Sequence, residues 1–248
     1  MAYPDRNIPT GFGSTTYAAE IDQGLRSYML KVYNYMAIGL VLTGLVAYAS
    51  ANAAINWNTM ELTAYGQAIF MSPLKWVVML APLGAVMFLS FGINKLSVGA
   101  AQALFWGYSA LVGLSLSSIL LVYTGQSVTQ VFFISAASFG ALSLYGYTTK
   151  RNLSAMGSFL IMGLFGLIIA SLVNIFMQSS AMAFAISVVG VGVFAGLTAY
   201  DTQNIKEMYY EADSVETMGR KAIMGALSLY LDFINMFMML LRLMGDRR

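Results

Sequence analysis

Cysteine and histidine are both absent from the 248 residues. Without cysteine there is no disulfide and no thiolate chemistry. Without histidine the chain lacks the commonest transition-metal ligand, general base and neutral-pH switch, so a response to pH has to come from carboxylates in unusual surroundings. Charge is scarce as well: 10% of the residues are Asp, Glu, Lys or Arg, thirteen basic against eleven acidic, for a net +2. No basic block occurs, which argues against nucleic acid or a strongly acidic molecule as a partner. Residues 1–30 are polar and lack the basic start, short apolar core and small-residue cleavage site of a signal peptide. The first apolar span is therefore expected to act as an uncleaved anchor.

What is present is apolar. Hydrophobic residues make up 58% of the chain and the mean hydropathy is +0.70, so the solvent for most of this protein is a lipid bilayer. Runs of about 20 apolar residues read as spans over 31–50, 75–93, 98–122, 128–148, 153–177, 181–208 and 224–243. The expected fold class is all-α: one seven-helix membrane domain over 31–245, preceded by a polar cytoplasmic segment over 1–30 and followed by a short tail over 246–248. The connections leave no room for a soluble module. Trp57, Trp76, Tyr147, Tyr209 and Tyr210 suit the headgroup region or helix packing. In "GVGVFAG", Gly192 and Gly196 have the spacing that lets helices approach closely, within the bundle or in a dimer. Pro82 removes a backbone donor inside the second span and predicts a kink. No fixed-period repeat is visible.

Lysine and arginine placement sets the expected orientation. With the amino terminus inside, Arg6, Arg26, Lys31, Lys95, Lys150, Arg151, Lys206, Arg220 and Lys221 fall on the cytoplasmic side, against Lys75, Arg242, Arg247 and Arg248 opposite. Three of those four, Arg242, Arg247 and Arg248, lie at or beyond the end of the last span. A re-entrant final segment, returning them to the cytoplasmic side, therefore stands as the alternative to a seventh full span.

The stretch "SLYLDFINMF" raises the functional question, because it places Asp232 inside the last apolar segment. An ionisable group in a membrane core is costly and defaults to a functional role with a partner. The partner is Asp201 in "GLTAYDTQNIKEMYY". If the sixth span runs to 208, Asp201 lies about 10 Å inside its end, and Asp232 about 12 Å past a start at 224, so the two share one depth. Gly225, Ser228, Asp232, Asn235, Met239 and Arg242 form one helical stripe; Thr198, Asp201 and Asn204 form another. Ser228 and Thr198 are equally well explained as interhelical hydrogen bonds. Two carboxylates in a low-dielectric site cannot both stay ionised cheaply, so they tend to share one proton. At low pH that proton bridges the helices; at higher pH its loss leaves repulsion that favours separation or an incoming cation. Oxygen ligands suit Ca²⁺ or Mg²⁺, in a weak, transient site rather than a permanent one. Asp213, in the loop after the sixth span, reads as an ordinary solvated carboxylate.

The stretches "AYDTQNIK", "ALSLYLDFINMFMMLLRLMG" and "YTTKRNLSAMGSFLIMG" resemble the Bax inhibitor-1 (transmembrane Bax inhibitor motif) family, in particular its bacterial members, over residues 30–245. The resemblance implies six helices around a central seventh, a place in the bacterial cytoplasmic (inner) membrane, and a pH-regulated Ca²⁺ leak gated by Asp201 and Asp232. Thr198, Asn204, Ser228, Asn235 and Arg242 would line the path or support the pair. No cofactor is expected, with Ca²⁺ as transported ion. Bacterial relatives can carry a Glu in the second helix and an Arg near its cytoplasmic end that latches the first aspartate; here there is no Glu, and only Asn94 and Lys95 at that end. Two other readings remain. An intramembrane aspartyl protease would use the same pair as a dyad, although the Gly-x-Gly-Asp and Pro-Ala-Leu stretches of such enzymes are missing. A modulator of a membrane-bound protease or of stress and cell-death machinery would bind through the N-terminal segment and the loop "KEMYYEADSVETMGRKA".

Overall fold

A computed structural model describes residues 13–59 and 61–248, with side chains from residue 23 onward. Residues 1–12 of the polar N-terminal segment, Arg6 among them, lie outside the described residues. The elements are α1 (Gly13–Ala54), a minimal hairpin of β1 (Ile55–Asn56) and β2 (Glu61–Leu62), α2 (Ala64–Phe70), α3 (Leu74–Gly92), a 3₁₀ turn (Ile93–Lys95), α4 (Val98–Val122), α5 (Gly125–Thr148), α6 (Ser154–Met177), α7 (Ser180–Glu207) and α8 (Val215–Met244). Among the described residues, seven helices are long and apolar enough to cross a membrane: all but α2.

Capping side chains set several helix starts. Ser97, Thr124, Ser179 and Ser214 each accept from the backbone N–H three residues on, satisfying a donor that a helix start leaves without a partner. Gln178, in the left-handed region at φ 50°, and the cap Ser179 are the whole connection from α6 to α7.

The other six spans are arranged around α8. Packed directly on it are α1, α4, α5 and α7, while α3 lies outside against α4 and α6 outside against α7. In its most apolar stretch 56% of α8 is buried, against 11% for α3 and for α6; the last helix is enclosed and the other two face lipid. Tyr230, fully buried, fixes α8 to its neighbours. Its ring meets Phe105 and Tyr108 of α4 edge-on, and its hydroxyl lies 2.6 Å from that of Thr43 on α1. Thr43 in turn contacts the Ser109 carbonyl at 2.9 Å.

Two expected features change in detail. The helix runs on through Pro82. The missing proline N–H leaves the Val78 carbonyl without its intrahelical donor, and Ser115 of α4 donates to it instead at 2.5 Å. Of the Gly192–Gly196 pair only Gly196 is a close contact: a Cβ there would stand 2.5 Å from Leu160 of α6, whereas Gly192 meets nothing within 4 Å. The spacing serves one packing contact inside the bundle.

The last helix is 30 residues long, about 45 Å at 1.5 Å per residue, and packs antiparallel to α7 along its length: Gly190 faces Met239, and Gly225 faces Ile205. The final segment is thus a full-length helix, not a hairpin. One end of the bundle, the basic-loop end, holds the α3–α4 corner, the 149–153 loop and the 208–214 loop. The other, the tail end, holds the hairpin, the α4–α5 and α6–α7 turns and the carboxyl-terminal tail. The tail folds back on the α4–α5 turn: Thr124 N–H donates to the Asp246 carbonyl, Arg248 N–H to the Val122 carbonyl, and Asp246 N–H to Ser127 Oγ.

Candidate functional site: an aspartate pair between the last two helices

The α7–α8 register places Asp201 level with Ser228, and Asp232 level with Thr198. The aspartates are thus offset by about one turn along antiparallel helices. Side chains lean toward the amino end of their own helix, so here they lean toward each other, and the Asp201 carboxyl comes within hydrogen-bonding reach of the Asp232 carboxyl. Asp232 is 4% exposed; Asp201 is half-buried. Among the described residues, Asp232 Oδ2 is a buried oxygen with no N–H or hydroxyl donor. A carboxylate oxygen left so is costly. A proton on one of the two carboxyls would supply the missing donor.

Close packing holds the α7 side of the pair in place. Gly146 of α5 sits directly against the Ala199 carbonyl oxygen, and Gly157 of α6 against the Tyr200 ring, where any side chain would collide. A hydroxyl chain ties three helices next to Asp201: Tyr33 of α1 to Ser143 of α5 at 2.6 Å, Ser143 to Thr202 of α7 at 2.9 Å, and Thr202 donating to the Thr198 carbonyl at 2.7 Å. Gln203 donates to the Arg151 carbonyl and accepts from Leu153 N–H, both at 2.8 Å, which fastens the 149–153 loop to α7. Tyr33, Ser143, Thr202 and Gln203 were not picked out by sequence. Thr202 and Gln203 follow Asp201 inside "YDTQN", and the signal that identifies them is a run of polar residues continuing around a helix that has no aqueous face.

The other expected site residues divide. Thr198, fully buried, donates to the Phe194 carbonyl at 2.8 Å, and Asn235 to the Leu231 carbonyl at 2.8 Å, so both satisfy their own helices. Asn204 and Ser228 are half-buried beside the pair and make no side-chain hydrogen bond among the described residues. Arg242 is not at the pair. It lies ten residues past Asp232 at the tail end, exposed, and lines two cavities there, one shared with Lys75 of α3 and the other with Arg247. A helical stripe gives the face of a residue and not its depth.

One further expectation is revised. Asp213 is no freely solvated carboxylate: Lys221 donates to it at 2.5 Å and to the Met208 carbonyl at 2.9 Å. Tyr209 packs on Tyr28 of α1, with ring centroids 5.7 Å apart, in the helix-packing role that the sequence left open. The stretch 206–222 is largely helical, in α7 and α8, and its loop is tied into the bundle by these contacts. At the end of α3, neither Asn94 nor Lys95 makes a side-chain hydrogen bond among the described residues. Arg220 of α8 holds that corner by donating to the Leu96 carbonyl at 3.2 Å.

No group of three or more Asp and Glu side chains able to hold a metal ion occurs among the described residues. An apolar cavity of about 290 Å³ lies between α1, α4, α5 and α8 beside Thr43, and one of about 580 Å³ lies between α1 and α5 beside Tyr33. Neither aspartate lines these or the tail-end cavities.

The sequence profile described as "Inhibitor of apoptosis-promoting Bax1" matches residues 25–248. The inner membrane protein YbhL of Escherichia coli (strain K12) is 49% identical over 227 residues, covering 91% of this chain and 94% of its own. Protein RP147 of Rickettsia prowazekii (strain Madrid E) is 48% identical over 235 residues, covering 95% and 96%, and a protein of Borreliella burgdorferi is 46% identical over 223 residues, covering 89% and 92%. With a profile match across nearly the whole described chain and relatives matched end to end, this seven-helix membrane protein belongs to the Bax inhibitor-1 family.

Proposed function

We propose that the protein is a pH-sensitive leak for Ca²⁺ or a similar cation, gated by the Asp201–Asp232 pair, in a bacterial inner membrane with the basic-loop end cytoplasmic. The observation that carries this reading is the buried, donorless Asp232 oxygen facing a second carboxyl. One proton between them pins α7 to α8. When it leaves, two charges repel across a low-dielectric gap, and the helices separate or take up a cation. In this reading the arrangement described corresponds to the closed state, with Asp232 buried between helices. Weak coordination by two carboxylates suits passage rather than storage. Location and orientation are supported by the inner-membrane relative and by the basic residues gathered at one end.

A protease reading is less well supported, because a substrate backbone needs open space at both carboxyls and the cavities found lie elsewhere. The test is Ca²⁺ flux into proteoliposomes of the purified full chain at pH values between about 5 and 8, the range in which a proton-sharing dyad can titrate. Flux should rise as the pair loses its proton. A preparation that passes no Ca²⁺ at any pH in that range overturns the leak.

A further inference from the structure

The tail-end arginines are unexplained by the aspartate pair. Sequence alone marks them as out of place, since the positive-inside tendency should empty this end of basic residues. In the structure, Arg242 of α8 and Arg247 of the tail line one cavity of about 410 Å³ at the α6–α7 turn. Its other lining is polar, from Asn174, Gln178, Ser179, Ser180 and Ser187, with Ala183 and Phe184 at its apolar side and no carboxylate. Neither guanidinium forms an ion pair among the described residues. Asp246, between them in sequence, is turned away into a hydrogen bond with Ser127 Oγ at 3.2 Å. Donor capacity remains in the cavity: Asn174 spends its carbonyl oxygen on Ser179 N–H, leaving its amide N–H groups, and Ser179 spends only acceptor capacity, on Met182 N–H. The first turn of α7 adds the positive end of a 28-residue helix.

We propose that this cavity binds the phosphate of an anionic phospholipid headgroup in the leaflet at the tail end of the bundle. Guanidinium forks match phosphate oxygens bidentately, and two of them uncompensated by acid make an anion site. The lipid, rather than free phosphate, is indicated by the rim: Phe176, Met177 and Phe184 are 87%, 60% and 63% exposed, an apolar surface on the membrane side of a polar pocket. This site is independent of the leak, since it lies about 15 Å along α8 from Asp232.

The test is equilibrium binding to the detergent-solubilised full chain, read by ligand-induced thermal shift and by titration. The probes are dioctanoyl phosphatidylglycerol, dioctanoyl phosphatidylcholine and inorganic phosphate. Phosphatidylglycerol should bind best and should weaken as salt is added. The Arg242→Gln, Arg247→Gln double variant should lose roughly tenfold or more of that affinity, and the Arg→Lys pair less, because it keeps the charge but not the fork. Lys150→Gln with Arg151→Gln, exposed at the opposite end, should bind as wild type. Equal phosphatidylglycerol affinity in wild type and the double Gln variant would overturn the site. Inorganic phosphate binding as tightly as the lipid would overturn the lipid as its occupant.

Discussion

Helices α6 and α8 are built from similar residues and do opposite jobs. Both are rich in Leu, Ile, Phe and Met, yet α6 is 11% buried in its most apolar stretch and α8 56%. For α6 the solvent is lipid, so an uninterrupted apolar surface is all that is asked of it. For α8 the solvent is the rest of the protein, which can accept Ser228, Asp232 and Asn235 where lipid cannot. The proposed functional chemistry centres on the most buried of the spanning helices.

That contrast is most severely tested by close backbone approach. Gly146→Val places a side chain against the Ala199 carbonyl of α7 and should abolish recovery of folded protein, whereas Gly166→Val in α6, where a Cβ meets nothing within 4 Å, should be recovered at wild-type yield in size-exclusion profiles. Next in size is core truncation. Leu229→Ala, at a fully buried position of α8, should cost about 2–5 kcal/mol in reversible unfolding. Leu172→Ala in α6, 55% exposed, should stay within about 0.5 kcal/mol. Equal losses at the two leucines would break the comparison.

The same contrast decides what could be read from the residues. Hydropathy gives α6 over 153–177 and the structure gives Ser154–Met177; α4 agrees at both ends. It falls short at two helix starts where charged residues break the apolar run. The first span is expected at 31 but its helix runs from Gly13, and the last is expected at 224 but begins at Val215, because Arg220, Lys221 and Glu216 interrupt the apolar run while continuing the helix. Asp201 and Asp232 were legible as a pair, although the depth argument used a wrong start for α8. They meet because the antiparallel register and the lean of the side chains bring them together. Arg242, on the same stripe, stands apart from the pair at the tail end, since a stripe carries no depth. The Tyr33–Ser143–Thr202 chain depends on three helices distant in sequence, which no local pattern encodes.

Smaller effects sharpen the account. Ser115→Ala removes the donor that satisfies the Val78 carbonyl beside Pro82 and should cost about 1–3 kcal/mol, while Ser158→Ala, exposed on α6 and bonded only to its own helix, should be neutral in the same unfolding experiment. Asp213→Asn breaks the contact with Lys221 but leaves Lys221 on the Met208 carbonyl, so a loss below about 1 kcal/mol is expected, with no change in the pH profile of flux.

The most direct measurement is the pH dependence of Ca²⁺ flux in proteoliposomes for Asp201→Asn, Asp232→Asn and the double variant. Asn keeps the size and supplies a donor that does not titrate, removing both the shared proton and the repulsion of the doubly ionised pair. If the aspartates act as one unit, each single variant loses the pH dependence and the double variant matches either single one, while Glu211→Gln, exposed in the loop before α8, keeps the wild-type profile. An Asp232→Asn protein that retains the wild-type pH midpoint would contradict the account and reduce Asp232 to a structural hydrogen-bonding group.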